Sequence, residues 1–214
     1  MHWCCRADSV QAIARVWRAL ATSSCSPESA SAGFSGTPDK SGCHHPPVAS
    51  VRIRRADEVQ DVARAAFDAH RRELIALLPT ADVEHVGATA VPGALTKGDV
   101  DILVRVSERD FADAVLILRK RYVVHQAHNW TRTLASFNAP GASEPPVGVQ
   151  LVVAGSDADG FFGPFRDALI NDPALLVQYN ELKLSLDGLD YESYTERKGV
   201  FVERVLRQAD EHRG

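Results

Sequence analysis

The chain has 214 residues, enough for one compact domain or one domain with a tail, and its 45% hydrophobic and 24% charged content is that of a globular protein. A net charge of -4 with no basic stripe gives no reason to expect a nucleic-acid partner, and no run approaches the roughly 18 apolar residues of a membrane span. All four cysteines (Cys4, Cys5, Cys25, Cys43) fall in the first fifth, so the remainder cannot depend on disulfides and a cytoplasmic setting fits it.

After a short helix-like patch at Val10 to Leu20, Ser, Thr, Gly and Pro dominate as far as Ser50. Such a segment buries too little apolar surface to offset its ordering entropy, so residues 1–50 are expected to be a disordered extension, or to reflect a start placed too far upstream. Arg6, Arg15 and Arg18 would also suit a transit peptide, whereas Cys4, Cys5, Cys43, His44 and His45 match no structural zinc spacing.

From Val51 the pattern is orderly, and residues 51–210 are expected to form the folded domain. Val51 to Arg54 reads as a short strand, and Asp57 can cap a helix to about Leu78, which Pro79 ends. Val83 to Val86 and Val100 to Val106 read as strands, and Glu108 to Arg121 as a helix. Tyr122 to His125 and Thr131 to Phe137 alternate as strands, a turn-rich loop spans Asn138 to Pro146, and Val147 to Val153 is another strand. Helices are expected at Gly160 to Ile170, Pro173 to Leu186 and Tyr191 to Gln208. The expected fold is α+β: a mixed sheet flanked by helices, with a C-terminal helical part.

The stretch EHVGATAVPGALTKGDVDILVRV, from Glu84 to Val106, carries the chemistry. Asp99 and Asp101 are two residues apart, so on a strand both face the same way. Two carboxylates side by side repel unless something positive lies between them, and a hard divalent cation such as magnesium would serve. Gly87 lets the backbone approach a ligand, Thr89 offers a hydroxyl, and Lys97 could reach phosphates as a point charge. His85, His125, His128 and Trp130 border this region; a structural histidine and a half-buried tryptophan are the plainer readings of His85 and Trp130.

EHVGATAVPGALTKGDVDILV resembles the signature of the GrpB family, close to EHIGSTAVPGL-AKP--DI, and YNELKLSLDGLDYESYTERKGVFVERVL resembles that family's distal element. Gly87, Thr89, Pro92, Gly93, Lys97 and Asp101 match the first block; Tyr179, Lys183, Tyr194 and Lys198 match the second. The resemblance, over about Val51 to Leu206, implies a nucleotidyltransferase-like fold of the DNA polymerase β superfamily. That superfamily joins a nucleoside monophosphate from an NTP to an acceptor through two magnesium ions, with a Gly-Ser turn, an Asp-x-Asp pair and a third acid on a later strand. It implies Asp99 and Asp101 as metal-binding and catalytic, and Gly87, Ala88, Thr89, Lys97, Lys183 and Lys198 as the phosphate-binding set. Two departures stand out: Ala88 replaces the usual serine, and GVQLVV carries Gln150 where the third acid is expected, with Glu144 and Asp157 as nearby substitutes. A neutral glutamine is no general base and a weaker ligand, which leaves a non-catalytic nucleotide-binding or regulatory module as the alternative. A protein-interaction role for a decayed fold is a third reading.

Overall fold

A computed structural model describes residues 50–141 and 143–211. The tail expected to be disordered, with its cysteines and the residues His44 and His45, lies outside the described residues apart from Ser50.

Five strands form the main sheet: β2 (Asp82–Val86), β4 (Val100–Val106), β5 (Val123–His125), β6 (Leu134–Asn138) and β7 (Val147–Val153). Their order is β2-β4-β7-β6-β5; β4 and β7 run parallel and every other pairing is antiparallel. A second, two-stranded sheet pairs β1 (Arg54–Arg55) with β3 (Leu95–Thr96). The helices are α1 (Gln60–Leu77), α2 (Phe111–Leu118), α3 (Asp159–Asn171), α4 (Pro173–Ser185) and α5 (Tyr191–Glu211). Among the described residues no helix is long and apolar enough to cross a membrane.

The central strands are buried on both faces, which is why β4 and β7 read as nearly continuous apolar runs rather than alternating ones. Val100, Ile102, Val104, Val149, Leu151 and Phe137 project to one face and pack against Ala63 and Leu74 of α1 and Leu118 of α2. Val86, Leu103, Leu134 and Val152 project to the other and meet Phe162 of α3. Beyond α3, Leu169, Tyr179, Phe201 and Val205 join α3, α4 and α5 into a second layer that also clamps Val91 and Ala94 of the loop after β2. One face of the sheet is therefore closed by α1 and α2, and the other is only partly covered by the C-terminal helices.

Three local expectations change. The strand expected at Val51 to Arg54 shortens to Arg54–Arg55; residues 51–53 instead tie down the α4–α5 turn, where Val51 N–H donates to the Leu189 carbonyl and Ile53 N–H to Asp187 Oδ1. Asp57 does not cap the first helix. Its carboxylate takes the Arg55 guanidinium at 3.0 Å, the residue sits in a short 3-10 turn, and α1 begins after Val59 with no side-chain cap. The helix expected from Glu108 splits into a 3-10 turn, capped by Ser107 accepting from Asp110 N–H, and the shorter α2.

Candidate functional site

β2 runs straight into the Gly-Ala-Thr turn, and Gly87 there has φ +74 and ψ -172, a region essentially reserved for glycine. Close approach is the reason: a Cβ on Gly87 would stand 2.2 Å from Asp101 Oδ2 and 2.9 Å from the Asp101 Cβ. Gly87→Ala adds backbone strain to that clash and is expected to cost roughly 2–3 kcal/mol, read as a lower denaturation midpoint.

The turn is locked to the Asp pair from below. Thr89 is 5% exposed, and its hydroxyl donates to the Asp99 carbonyl at 3.0 Å. Having spent its proton there, the hydroxyl accepts from His85 Nε2, 3.1 Å away. His85 therefore carries its proton on Nε2; burial, then the Arg166 charge, push it down to about 4, and its ring stacks on Phe67 at 4.8 Å. This is the structural histidine expected, and it orients the turn.

Asp99 and Asp101 share the open face of the sheet, as their spacing requires. The positive charge beside them comes from the chain itself. Lys97 Nζ lies 3.0 Å from Asp99 Oδ2, with the side chains 21% and 30% exposed, and sits 4.7 Å from the Tyr191 ring centroid. Burial would raise Asp99, but the Lys97 ammonium overrides it and holds the carboxyl well below its ordinary value. Burial and then the Asp99 charge push Asp101 up to about 6. Lys97 is raised, because Asp99 outweighs the burial that would lower it. Burial and the Lys97 charge bring Lys198 down to about 8.

Lys183 is placed differently from the other lysines. It is 2% exposed, its Nζ donates to the Leu95 carbonyl at 2.5 Å, and it lies 4.4 Å from the Tyr179 ring. Burial and the neighbouring Lys198 lower it well below an ordinary lysine. One helical turn away, Asn180 accepts from Leu95 N–H at 2.8 Å and donates to the Gly93 carbonyl at 2.9 Å. Helix α4 thus satisfies both backbone groups of Leu95 and fixes β3, the strand that delivers Lys97 and Asp99.

A cleft of about 1590 Å³ opens over the pair. Gly87, Ala88, Lys97, Asp99, Asp101 and Lys198 line it, whereas Thr89 and Lys183 lie beneath its floor. The far wall includes His125, Asn138, Glu144, Gly148 and Gln150. Drug-sized ligands occupy roughly 300–1,000 Å³, so there is room for a nucleotide and a second reactant. Tyr179 packs between Phe165 and Phe201 as a core ring, and Trp130 tilts against Phe137 at 5.1 Å and donates its N–H to the His125 carbonyl, outside the cleft lining. His128 is exposed and also outside it. The Tyr194 hydroxyl is buried and has no hydrogen-bond partner, although the residue lines the cleft.

Sequence reasoning missed Tyr191, whose exposed ring backs Lys97, and Gly148, paired with Asp101 across the parallel strands. A Cβ on Gly148 would meet Asp101 Oδ1 at 3.6 Å; a glycine within an apolar strand was the available signal. Gln150 lies one pleat beyond on the same face, and its Oε1 accepts from the Ser136 hydroxyl at 2.7 Å. Of the suggested substitutes, Glu144 lines the cleft, while Asp157 follows the opposite end of β7, a seven-residue strand of roughly 20 Å.

No group of three or more His, Cys, Asp or Glu side chains suited to a metal occurs among the described residues. The donors present, Asp99 and Asp101, fit one hard cation whose shell is completed by phosphates and water.

The profile of the GrpB protein family matches residues 57–208. A UPF0157 protein of Vibrio cholerae is 37% identical over 160 residues, covering 75% of this chain and 84% of that protein. A UPF0157 protein of Deinococcus radiodurans is 35% identical over 153 residues, covering 69% and 77%. The crystal structure of the conserved protein GrpB from Enterococcus faecalis superimposes with a TM-score of 0.59 at 20% identity, covering 75% of this chain and 98% of that one. The signature turn, the aspartate pair and the distal lysine and tyrosine positions all fall inside the matched span, and the chain belongs to the GrpB protein family.

Proposed function

We propose that this protein is a magnesium-dependent nucleotidyltransferase that moves a nucleoside monophosphate from an NTP to a small-molecule or other acceptor. One observation carries the reading: two carboxylates share a cleft face behind a turn so close to one of them, Asp101, that only glycine fits, with cleft-lining ammonium groups around the pair. Asp99 and Asp101 would hold the cation, which when bound supplies charge neutralisation for the phosphates. The Gly87–Ala88 backbone would meet the phosphate tail, and Lys198 would offset its charge. In the reaction the acceptor oxygen or nitrogen bonds to the α-phosphorus and gives up its proton to solvent water, the bond to the β-phosphate bridging oxygen breaks, and pyrophosphate leaves. A cytoplasmic setting suits a domain without cysteine.

The test is incubation with each α-labelled nucleotide, magnesium and a panel of acceptors. Label in a new product, with pyrophosphate released, supports transfer. Gln150 in place of a third acid favours a second reading, a nucleotide-binding module without turnover; that reading is upheld if nucleotide raises the melting temperature and no label moves. No thermal shift with any nucleotide sinks both.

The affinity for magnesium nucleotide is expected to peak between pH 6 and 8, measured by calorimetry across pH. Asp101 gains a proton below about 6 and stops attracting the cation; Lys198 loses one above about 8 and stops offsetting phosphate charge. A flat profile from pH 5 to 9 would remove both groups from the binding step.

A further inference from the structure

Two-ion nucleotidyl transfer needs carboxylates enough to hold both cations, and the sheet face of this cleft supplies two aspartates with a neutral amide, Gln150, on the next strand; Glu144, Asp190 and Glu192 also line the cleft, but among the described residues no three acids come together as a metal site. Gln150 brings no negative charge, and one lone pair of its Oε1 is already taken by the Ser136 hydroxyl. Against this short set of metal ligands stand the lysines. Lys97, Lys183 and Lys198 surround Asp99 and Asp101, and Lys97 Nζ sits 3.0 Å from Asp99 Oδ2. Lys97 is also held from behind, with its ammonium 4.7 Å and 5.8 Å from the ring centroids of Tyr191 and Tyr194. Cation–π contacts of this kind keep a partly buried ammonium in place.

We infer that Lys97 takes the place of one of the two cations, so that the site accepts a single divalent ion, brought in with the nucleotide, while the Lys97 ammonium provides the second charge beside Asp99. This rests on the nucleotide-binding reading above and deepens it. Three physical consequences follow. Without nucleotide Asp99 is already compensated by Lys97, so a free divalent ion gains less by entering. With nucleotide, the phosphates add the oxygen ligands the aspartates lack, and one ion is retained. Removing the ammonium uncovers Asp99 and makes the empty pair a better ion site.

The experiment counts bound Mn2+ by electron paramagnetic resonance, first with the protein alone and then with the protein and a non-hydrolysable nucleoside triphosphate at equal concentrations. Wild type is expected to take up Mn2+ at least tenfold more weakly than Lys97→Gln when nucleotide is absent, and to hold one ion per chain when it is present. Lys97→Arg, which keeps the positive charge, should behave as wild type. Two ions per wild-type chain would overturn the inference, and that count needs no variant to fold. Equal nucleotide-free affinities in wild type and Lys97→Gln, both with intact melting transitions, would overturn it as well. If no nucleotide binds at all, the functional reading fails by itself, and the nucleotide-free comparison still decides whether Lys97 stands in for an ion.

Discussion

Asp101→Asn is expected to cut nucleotidyl transfer by roughly a thousandfold and, at the same time, to raise the melting temperature at pH 8. The loss of transfer follows from removing one of two carboxylates available to the cation. The gain in stability follows from the sign of the shift. Asp101 is pushed up to about 6, first by burial and then by Asp99, whereas an unfolded aspartate titrates near about 3.9. The folded protein thus holds this proton more tightly than the unfolded chain does. That preference stabilises the fold fully below about pH 4, and it is lost as pH rises through about 6. At pH 8 the ionised carboxylate is a net cost, on the order of 2 kcal/mol, which Lys97 and Lys198 reduce without abolishing. Asparagine keeps the shape and drops the charge. For a domain of this size the gain corresponds to roughly 4–8 °C at pH 8, shrinking toward pH 4.5. Thermal denaturation at the two pH values, alongside turnover, checks both halves. A lower melting temperature at pH 8 would refute the electrostatic account, and retained transfer would refute the catalytic assignment. The expected pattern is a site that trades stability for function.

The same pair shows how far the sequence reached. Alternation put Asp99 and Asp101 on one face, and the apolar runs of β4 and β7 marked strands buried on both sides; both inferences depend only on local periodicity. Register does not. The parallel pairing sets Gly148, not Gln150, opposite Asp101, and nothing in either strand alone announces that offset. β3 was missed because it is two residues long and its partner, β1, lies about forty residues earlier, so no periodic signal could build up. Asp57 looked like a helix cap because the cap preference is local, and it lost to Arg55 two residues away. The aspartates seemed to demand an external cation because their compensating charge was invisible: Lys97 returns to Asp99 only through the conformation of the loop between β3 and β4. Lys183 was legible in hindsight. Leu176, Tyr179 and Lys183 fall at i, i+3 and i+7 of α4, the spacing of an inward-facing stripe on which Leu176 is partly buried and the other two fully, and a lysine on such a stripe is a lysine inside the protein.

That difference in placement separates the two distal lysines in a mutational experiment. Lys183→Ala is expected to destabilise the fold by roughly 3–5 kcal/mol, because it leaves a cavity and strands the Leu95 carbonyl without its donor. The melting temperature should fall by about 10 °C or more. Part of that loss is offset, since an ammonium pushed well below its ordinary value by burial is itself costly to keep charged. Lys183→Met keeps the buried stem without the charge, so it should cost distinctly less than alanine. It should still weaken nucleotide binding, because the only side chain of α4 left to hold Leu95 would be Asn180, and β3 would carry Lys97 and Asp99 less firmly. Lys198→Ala should do the reverse. Lys198 is half-buried at the cleft wall, so its loss is expected to change stability by no more than about 1 kcal/mol while lowering nucleotide affinity about tenfold. Melting curves and nucleotide titrations of the three variants read the two effects separately. If Lys183→Ala stayed stable and lost only affinity, the ammonium of Lys183 would have to reach the ligand, and the floor of the cleft would have to open to let it.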